Sequence, residues 1–273
     1  PLGRTGRTTG RDSLINDWGS YYKFMNRQLT ELLTNYGPVR AIWFDGWWDH
    51  EEDEKPFDWQ LPEQYALIHN LQPGCLVGNN HHRPPFPGED IQIFERDVPG
   101  ENTAGYSGEN GISSLPLETC QTMNGMWGYK VEDTDYKDSR TLVRYLVKTA
   151  GMGANLLLNI GPQPNGELPA VSLERLKDMG KWLRANGETI YGTQGSPFGP
   201  QKWGTATTKG SRLYLHVMSP DTTEVFVPYK CKIKGVREYS GKNVLRYKRQ
   251  KDGFTVSLPS IPDCDDYIIE VEI

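Results

Sequence analysis

Few residues in this 273-residue chain can hold a metal or run redox chemistry: there are five histidines and four cysteines in all. Cys75, Cys120, Cys231 and Cys264 lie far apart and form no Cys-x-x-Cys pair, so neither a zinc knuckle nor a dithiol motif is indicated, and disulfides are possible but unforced. The adjacent His81 and His82 lack a third histidine or a carboxylate at ligand spacing, so no metal is expected there. No apolar run approaches the roughly 20 residues that a membrane-spanning helix needs. A basic tract is missing too. Thirty Lys and Arg face 35 Asp and Glu, a formal net charge of −5, which argues against nucleic acid, whose binding rests on clustered cations. The first eleven residues are polar, rich in Gly, Arg and Thr, and carry no apolar core of a signal peptide.

What is present is ordinary globular composition, 36% hydrophobic and 24% charged, with length for one large domain or two smaller ones. Residues 18–36 place Trp18, Tyr21, Tyr22, Met25, Leu29, Leu32 and Leu33 at helical spacing, and Gly37-Pro38 stops the helix. Residues 39–45 then read as a short strand buried on both faces. A second unit repeats the order: a helix over 62–71, a break at Pro73-Gly74, and a strand over 75–79. Residues 83–115 read as a long Pro- and Gly-rich loop, placed to shape a leaving-group site. Beyond it come a helix over 139–151, a strand over 155–160, and a helix over 172–186. That last helix has Leu173, Leu176, Met179, Trp182 and Leu183 on one face and Gly187 just past its end. Alternating helices and apolar strands predict an α/β fold with a parallel sheet. Only about four strands are visible, too few to close an eight-stranded barrel. From about residue 195 the period changes to two, as in Leu213, Leu215 and Val217, which predicts an antiparallel β domain. The expected domains are residues 1–194 and 195–273, joined where Gly192, Gly195, Pro197, Gly199 and Pro200 crowd together.

In a parallel α/β fold, reacting groups sit at the carboxyl ends of strands, and Asp45 ends the strand over 39–45 among Trp43, Phe44, Trp47 and Trp48. Indole faces stack on the C–H faces of pyranose rings, and a carboxylate can attack an anomeric carbon that develops positive charge. A second carboxyl group would then serve as acid and base. The plainer alternative is an Asp that caps a turn, with tryptophans that fill a core.

Three ordered motifs make the pattern specific: WFDGWW at 43–48, ETCQTMNGMWGY at 118–129 and NLLLNIGPQPNGELP at 155–169. They resemble the retaining α-L-fucosidase family over residues 10–193, and the β domain is similar to the C-terminal sandwich of many members. The resemblance implies part of a (β/α)8-like TIM barrel followed by an antiparallel β-sandwich, with Asp45 as nucleophile and Glu95, in GEDIQIFERD, as acid/base. Glu101 and Glu118 are the rivals for the acid/base, with Glu89 behind them. Trp43 and Trp127 are expected against the sugar, and so are His81 and His82, which stand where many members carry an Arg. No metal or cofactor is implied. The implied partner is a fucosylated oligosaccharide or glycoconjugate, met in the periplasm or outside the cell. The family's early barrel strands have no counterpart before Arg11, so a missing N-terminal barrel segment is expected to complete the pocket. Two alternatives stand beside this: another barrel glycosidase, or a non-catalytic carbohydrate-binding relative.

Overall fold

A computed structural model describes residues 18–47, 57–107, 111–219 and 221–273; the N-terminal polar tail and Trp48 lie outside the described residues. The chain is a mixed α/β protein that divides into two compact units. The first runs to Glu95 and takes back Asn102–Leu117; the second comprises Arg96–Glu101 and Glu118–Ile273.

The first unit holds α1 (Trp18–Asn35), β1 (Ala41–Asp45), α2 (Leu61–Leu71), β2 (Leu76–Asn80) and β3 (Ile91–Glu95). Gly37 ends α1 in the left-handed conformation, φ +81°, which costs a glycine little. The carbonyls left at that end find a donor in Gln72, whose Nε2 bonds Leu33 O at 2.7 Å and Gly37 O at 3.0 Å. Its Oε1 accepts from Val39 N at 2.8 Å, so one side chain links the helix stop to the start of β1. β1 pairs parallel with β2, and β2 with β3. Two of the expectations fail here. β1 is not buried on both faces: Ile42 and Phe44 pack on the cluster of Leu33, Tyr65, Ile68 and Val77, while Ala41, Trp43 and Asp45 are exposed. Within the supposed loop 83–115, Ile91–Glu95 is a buried strand. Its polar Gln92 and Glu95 and its Pro/Gly flanks hide it from hydropathy, but Gln92 finds partners in Gly111 O and Ser113 N.

The second unit contains all but the first residue of β4 (Leu117–Thr122), with α3 (Ser139–Gly151), β5 (Ala154–Asn159) and α4 (Ala170–Asn186). Asp138 caps α3 by accepting from Thr141 N at 2.7 Å, and hydrogen bonds from the Thr141 side chain first and its backbone second hold the carboxyl below the usual range. The apolar face of α4 is only partly used, with Met179 buried and Leu173 and Leu176 exposed. Gly187 does not take the left-handed cap. It stays right-handed, φ −59°, and begins a 3₁₀ turn, and a Cβ there would meet the Tyr191 ring at 2.9 Å.

The remaining strands are β6 (Gly204–Lys209), β7 (Arg212–Val217), β8 (Glu224–Val227), β9 (Gly235–Glu238), β10 (Tyr247–Gln250), β11 (Gly253–Ser257) and β12 (Tyr267–Glu272). They form one antiparallel sheet in the order β6-β7-β12-β9 and another in the order β10-β11-β8. Register explains the core: Ala206, Leu215 and Ile269 lie opposite one another in turn, as do Leu213 and Val271. Together with Val225, Val227, Phe254 and Val256 these residues make the largest apolar cluster. Each such side chain removed from water contributes about 1.5–3 kcal/mol.

Candidate active site at the ends of three parallel strands

Side chains alternate across a strand, so three parallel strands with a common register line up alternate residues on one face. Asp45 lies opposite Asn80, and Trp43 opposite Gly78. A Cβ at Gly78 would come within 2.9 Å of Ile93 Cδ1, so Gly78 leaves the space that Ile93 fills. Asp45, Asn80 and Glu95 are the last residues of β1, β2 and β3, and their side chains meet. The Asn80 amide donates to both carboxylates, from Nδ2 to Asp45 Oδ1 at 3.2 Å and to Glu95 Oε2 at 2.9 Å. His82 Nε2 lies 2.8 Å from the same Glu95 oxygen. The chain turns at once after each strand end: Gly46, His82 and Arg96 have φ of +80°, +59° and +60°. Two of these are not glycines, and such backbone concentrates where function over-determines conformation.

The electrostatics of Asp45 reflect this setting. Partial burial pushes its carboxyl above the ordinary value of 3.8; the hydrogen bonds from Asn80 and the Gly46 backbone act downward, Glu95 upward and His82 downward. Glu95 is 8% exposed and is reached by the Asn80 amide and the His82 ring, whose other face meets the Tyr106 ring at 5.2 Å.

The other candidates have partners of their own. His81 is buried, with Nε2 at 2.9 Å from Glu89 Oε1. Arg83 N donates to its Nδ1 at 3.0 Å, so its one proton is on Nε2 and the ring is a donor to Glu89. Glu89 also takes the Tyr65 hydroxyl at 2.9 Å, so it anchors the approach to β3 and is not offered to a ligand. Trp47 stands beside His81 and Phe86, with the Arg83 guanidinium 5.2 Å over its ring. Trp43 is 38% exposed on the Asp45 face of β1.

Trp127 and the two rival glutamates belong to the second unit. Glu101 is exposed, 3.9 Å from Lys148 Nζ, on a cleft of about 550 Å³ that includes Met152, Trp203 and Met218 and brings no second carboxylate. Glu118 sits near the start of β4, its carboxyl raised by burial, at the opposite end of the strand from the Thr122 end.

The ETCQTMNGMWGY and NLLLNI motifs turn out to build one loop. Thr122 Oγ1 is 3.0 Å from Met126 O and accepts from Asn159 Nδ2 at 3.1 Å, and that same amide donates to Trp127 O at 2.8 Å. Asn124 Nδ2 and Met126 N both donate to Asp133 Oδ2, at 3.0 and 2.7 Å. Lys137 Nζ bonds Thr122 O at 2.8 Å, and burial and the nearby Arg96 lower its pKa. Arg96 holds Gly125 O at 2.8 Å and stacks over Trp127 at 5.1 Å. Of these, only Trp127 was singled out from sequence. A run of Thr, Asn, Asp and Lys reads as polar loop until its partners are seen. Among the described residues, no group of three His, Cys, Asp or Glu is placed to hold a metal ion.

This geometry can be set beside known proteins. The sequence profile described as alpha-L-fucosidase matches residues 4–188. Human plasma alpha-L-fucosidase is 34% identical over 259 residues, covering 86% of this chain and 51% of that protein. Human tissue alpha-L-fucosidase is 28% identical over 255 residues, covering 86% of this chain and 50% of that protein. Among solved structures, alpha-L-fucosidase isoenzyme 1 from Paenibacillus thiaminolyticus superposes with a TM-score of 0.75 at 30% identity, covering 96% of this chain and 64% of that one. The chain thus spans about half the length of the curated relatives it matches. A profile match over most of the α/β region, with two strand-end carboxylates inside it bridged by one amide, has a single consequence: the chain belongs to the α-L-fucosidase family.

Proposed function

We propose that the protein of which this chain is part hydrolyses terminal α-L-fucosyl linkages with retention of configuration, Asp45 acting as nucleophile and Glu95 as acid/base. The observation that carries the reading is the shared Asn80 amide. Because one nitrogen bonds both, the two acceptor oxygens can be no more than about 6 Å apart, a span that admits the ~5–5.5 Å of a retaining pair.

Asp45 attacks the anomeric carbon while the protonated Glu95 gives its proton to the departing oxygen. Water then adds to the same carbon, returning a proton to Glu95 and freeing Asp45. Upward pressure on the Asp45 pKa makes its carboxylate the stronger nucleophile in the first step. Trp43, on the Asp45 face, is the apolar wall for the sugar. Residues 1–194 would contribute part of a (β/α)8-like barrel and residues 195–273 a β-sandwich, a reading supported by the two antiparallel sheets around one core. No helix of the described residues is long and apolar enough to cross a membrane. The plasma relatives favour an extracellular setting and a fucosylated glycan as substrate.

The test is hydrolysis of an aryl α-L-fucoside by the full-length protein and its Asp45→Ala and Glu95→Ala variants, with and without azide. Both variants are expected to lose at least about 10²-fold in turnover. Azide should give β-fucosyl azide with Asp45→Ala and α-fucosyl azide with Glu95→Ala. Near-normal turnover by Glu95→Ala would move the acid/base to another residue, and a wild type without fucosidase activity would end the proposal.

A further inference from the structure

The second unit holds a cleft of about 550 Å³ that has no part in the reaction at Asp45 and Glu95. Residues 98–101, the end of α3 with Lys148 and Met152, and the turns into β6 and out of β7 form its walls. Backbone bonds hold these walls. Glu101 N donates to Val98 O at 2.9 Å, Gln201 and Gly204 exchange bonds at 2.7 and 3.0 Å, and Met218 N donates to Trp203 O at 2.8 Å. Trp203 Nε1 donates to Phe226 O at 3.0 Å and the residue is 8% exposed, so little more than an edge of the indole is available. The volume falls in the range of roughly 300–1,000 Å³ that small-molecule sites occupy. The lining has two parts. Met152, Pro200, Trp203 and Met218 give apolar surface, while Gln201 and Ser219 give an amide and a hydroxyl. The Gln201 amide is tied only by a long 3.4 Å bond to Phe198 O. On the rim, Glu101 and Lys148 stand 3.9 Å apart, and the exposed Lys202 makes no ion pair with a described residue. Two lysines against one glutamate leave the rim with one positive charge.

We propose that this cleft binds a pyranose that bears a carboxylate, a sugar of the uronic or sialic acid class. The carboxylate meets Lys202, the C–H face of the ring lies against Met152, Met218 and the indole edge, and the hydroxyls are met by Gln201 and Ser219. Charge and surface together select this ligand. A small inorganic anion would pair with Lys202 and leave the apolar walls unused. A neutral apolar molecule would use the walls and leave the lysine without a partner. A carboxylated ring uses both, and a charge-assisted bond to an ammonium is about twice as strong as a neutral one. The site is separate from the strand-end carboxylates and does not depend on their roles. Binding there would retain the protein on acidic glycans through a contact that takes no part in bond cleavage.

The experiment uses the full-length protein with carbon-13 in its methionine methyl groups, the Met152 and Met218 signals being assigned through Met152→Leu and Met218→Leu. Sodium glucuronate and sodium N-acetylneuraminate are titrated in turn, beside methyl glucoside as a neutral ring and acetate as a bare carboxylate. One or both acidic sugars should move the two signals saturably, with methyl glucoside and acetate at least about tenfold weaker. A response to one acid alone identifies the ring. Lys202→Ala should weaken the acidic sugar about tenfold, and Lys248→Ala, on the exposed strand β10, should leave it unchanged. Salt raised from ~0.05 to ~0.5 M should weaken binding several-fold. No shift at either methionine overturns the proposal. So does equal affinity for methyl glucoside, which makes the charge irrelevant, or for acetate, which reduces the cleft to an anion site. Full binding by Lys202→Ala overturns it as well. Because the signals come from the cleft itself, loss of the fucosidase reading would not change any of these outcomes.

Discussion

Two histidine–carboxylate pairs in this chain have nearly the same bond length and different access to solvent. His82 Nε2 meets Glu95 Oε2 at 2.8 Å with side chains 17% and 10% exposed; His216 Nδ1 meets Asp266 Oδ2 at 2.7 Å with both at 0%. The second pair even has a hydroxyl on the far side of the ring, Thr207 Oγ1 at 3.2 Å from Nε2, in the order of a nucleophile triad. Thr207 nevertheless spends its proton on Thr189 O at 2.6 Å, so the ring must donate to it. A donor that is already committed and a site sealed from solvent leave nothing for a substrate. The pair instead links β7, the approach to β12 and the turn after α4, and a proton is held between Nδ1 and Oδ2 whichever atom carries it. Access, more than the set of residues, separates the two pairs.

The sharpest way to break this comparison is to remove one carboxylate from each pair. Asp266→Ala should destabilise the protein by about 3–5 kcal/mol, because a buried partner is stranded, with turnover per folded molecule unchanged; urea unfolding followed with activity measures both. Glu95→Ala should do the reverse. Loss of turnover by folded Asp266→Ala would mean that the buried pair reaches the chemistry after all.

A smaller effect is expected at Asp45. Its folded-state pKa is raised above 3.8 by burial first, so the folded protein binds more protons than the unfolded chain. The stability tied to the protonated form is present below the unfolded value and is lost as pH rises through the folded one. Asp45→Asn, which cannot ionise, should therefore unfold at higher urea than wild type at pH 7, with the gap closing near about pH 3. Asp45 is exposed at the tip of β1, so water screens part of the effect and the gain is modest. An equal gap at both pH values would tie it to packing. Smallest of all, Lys230→Ala breaks a pair with Asp252 in which both side chains are about 70% exposed, and the urea midpoint should move by no more than about 0.5 kcal/mol in stability.

Much of the fold was legible in the amino acids. Helices α1 to α4 are set by apolar spacing and stop signals, and β7, β11 and β12 by alternation of apolar residues, although β7 and β12 are buried on both faces. Asp45 was legible because it ends an apolar run beside tryptophans. β3 was not: a five-residue strand with Gln92 and Glu95 buried carries its information in partners contributed from beyond its own segment. The role of Asn80 was equally hidden, since an Asn after a strand commonly marks a turn, and only the register of β1 on β2 brings its amide to Asp45. His81 and His82 look equivalent in sequence. A single left-handed residue, His82 itself, sends neighbouring rings to different carboxylates.

The left-handed residues just past β1, β2 and β3 also bear on how such a site can diversify. Each turns the chain away within two residues of the strand end, so Asp45, Asn80 and Glu95 keep the positions that the strands give them. These positions are natural splice points. Segments of different length or composition could be exchanged there while the distance between Asp45 and Glu95 stays as the strands set it.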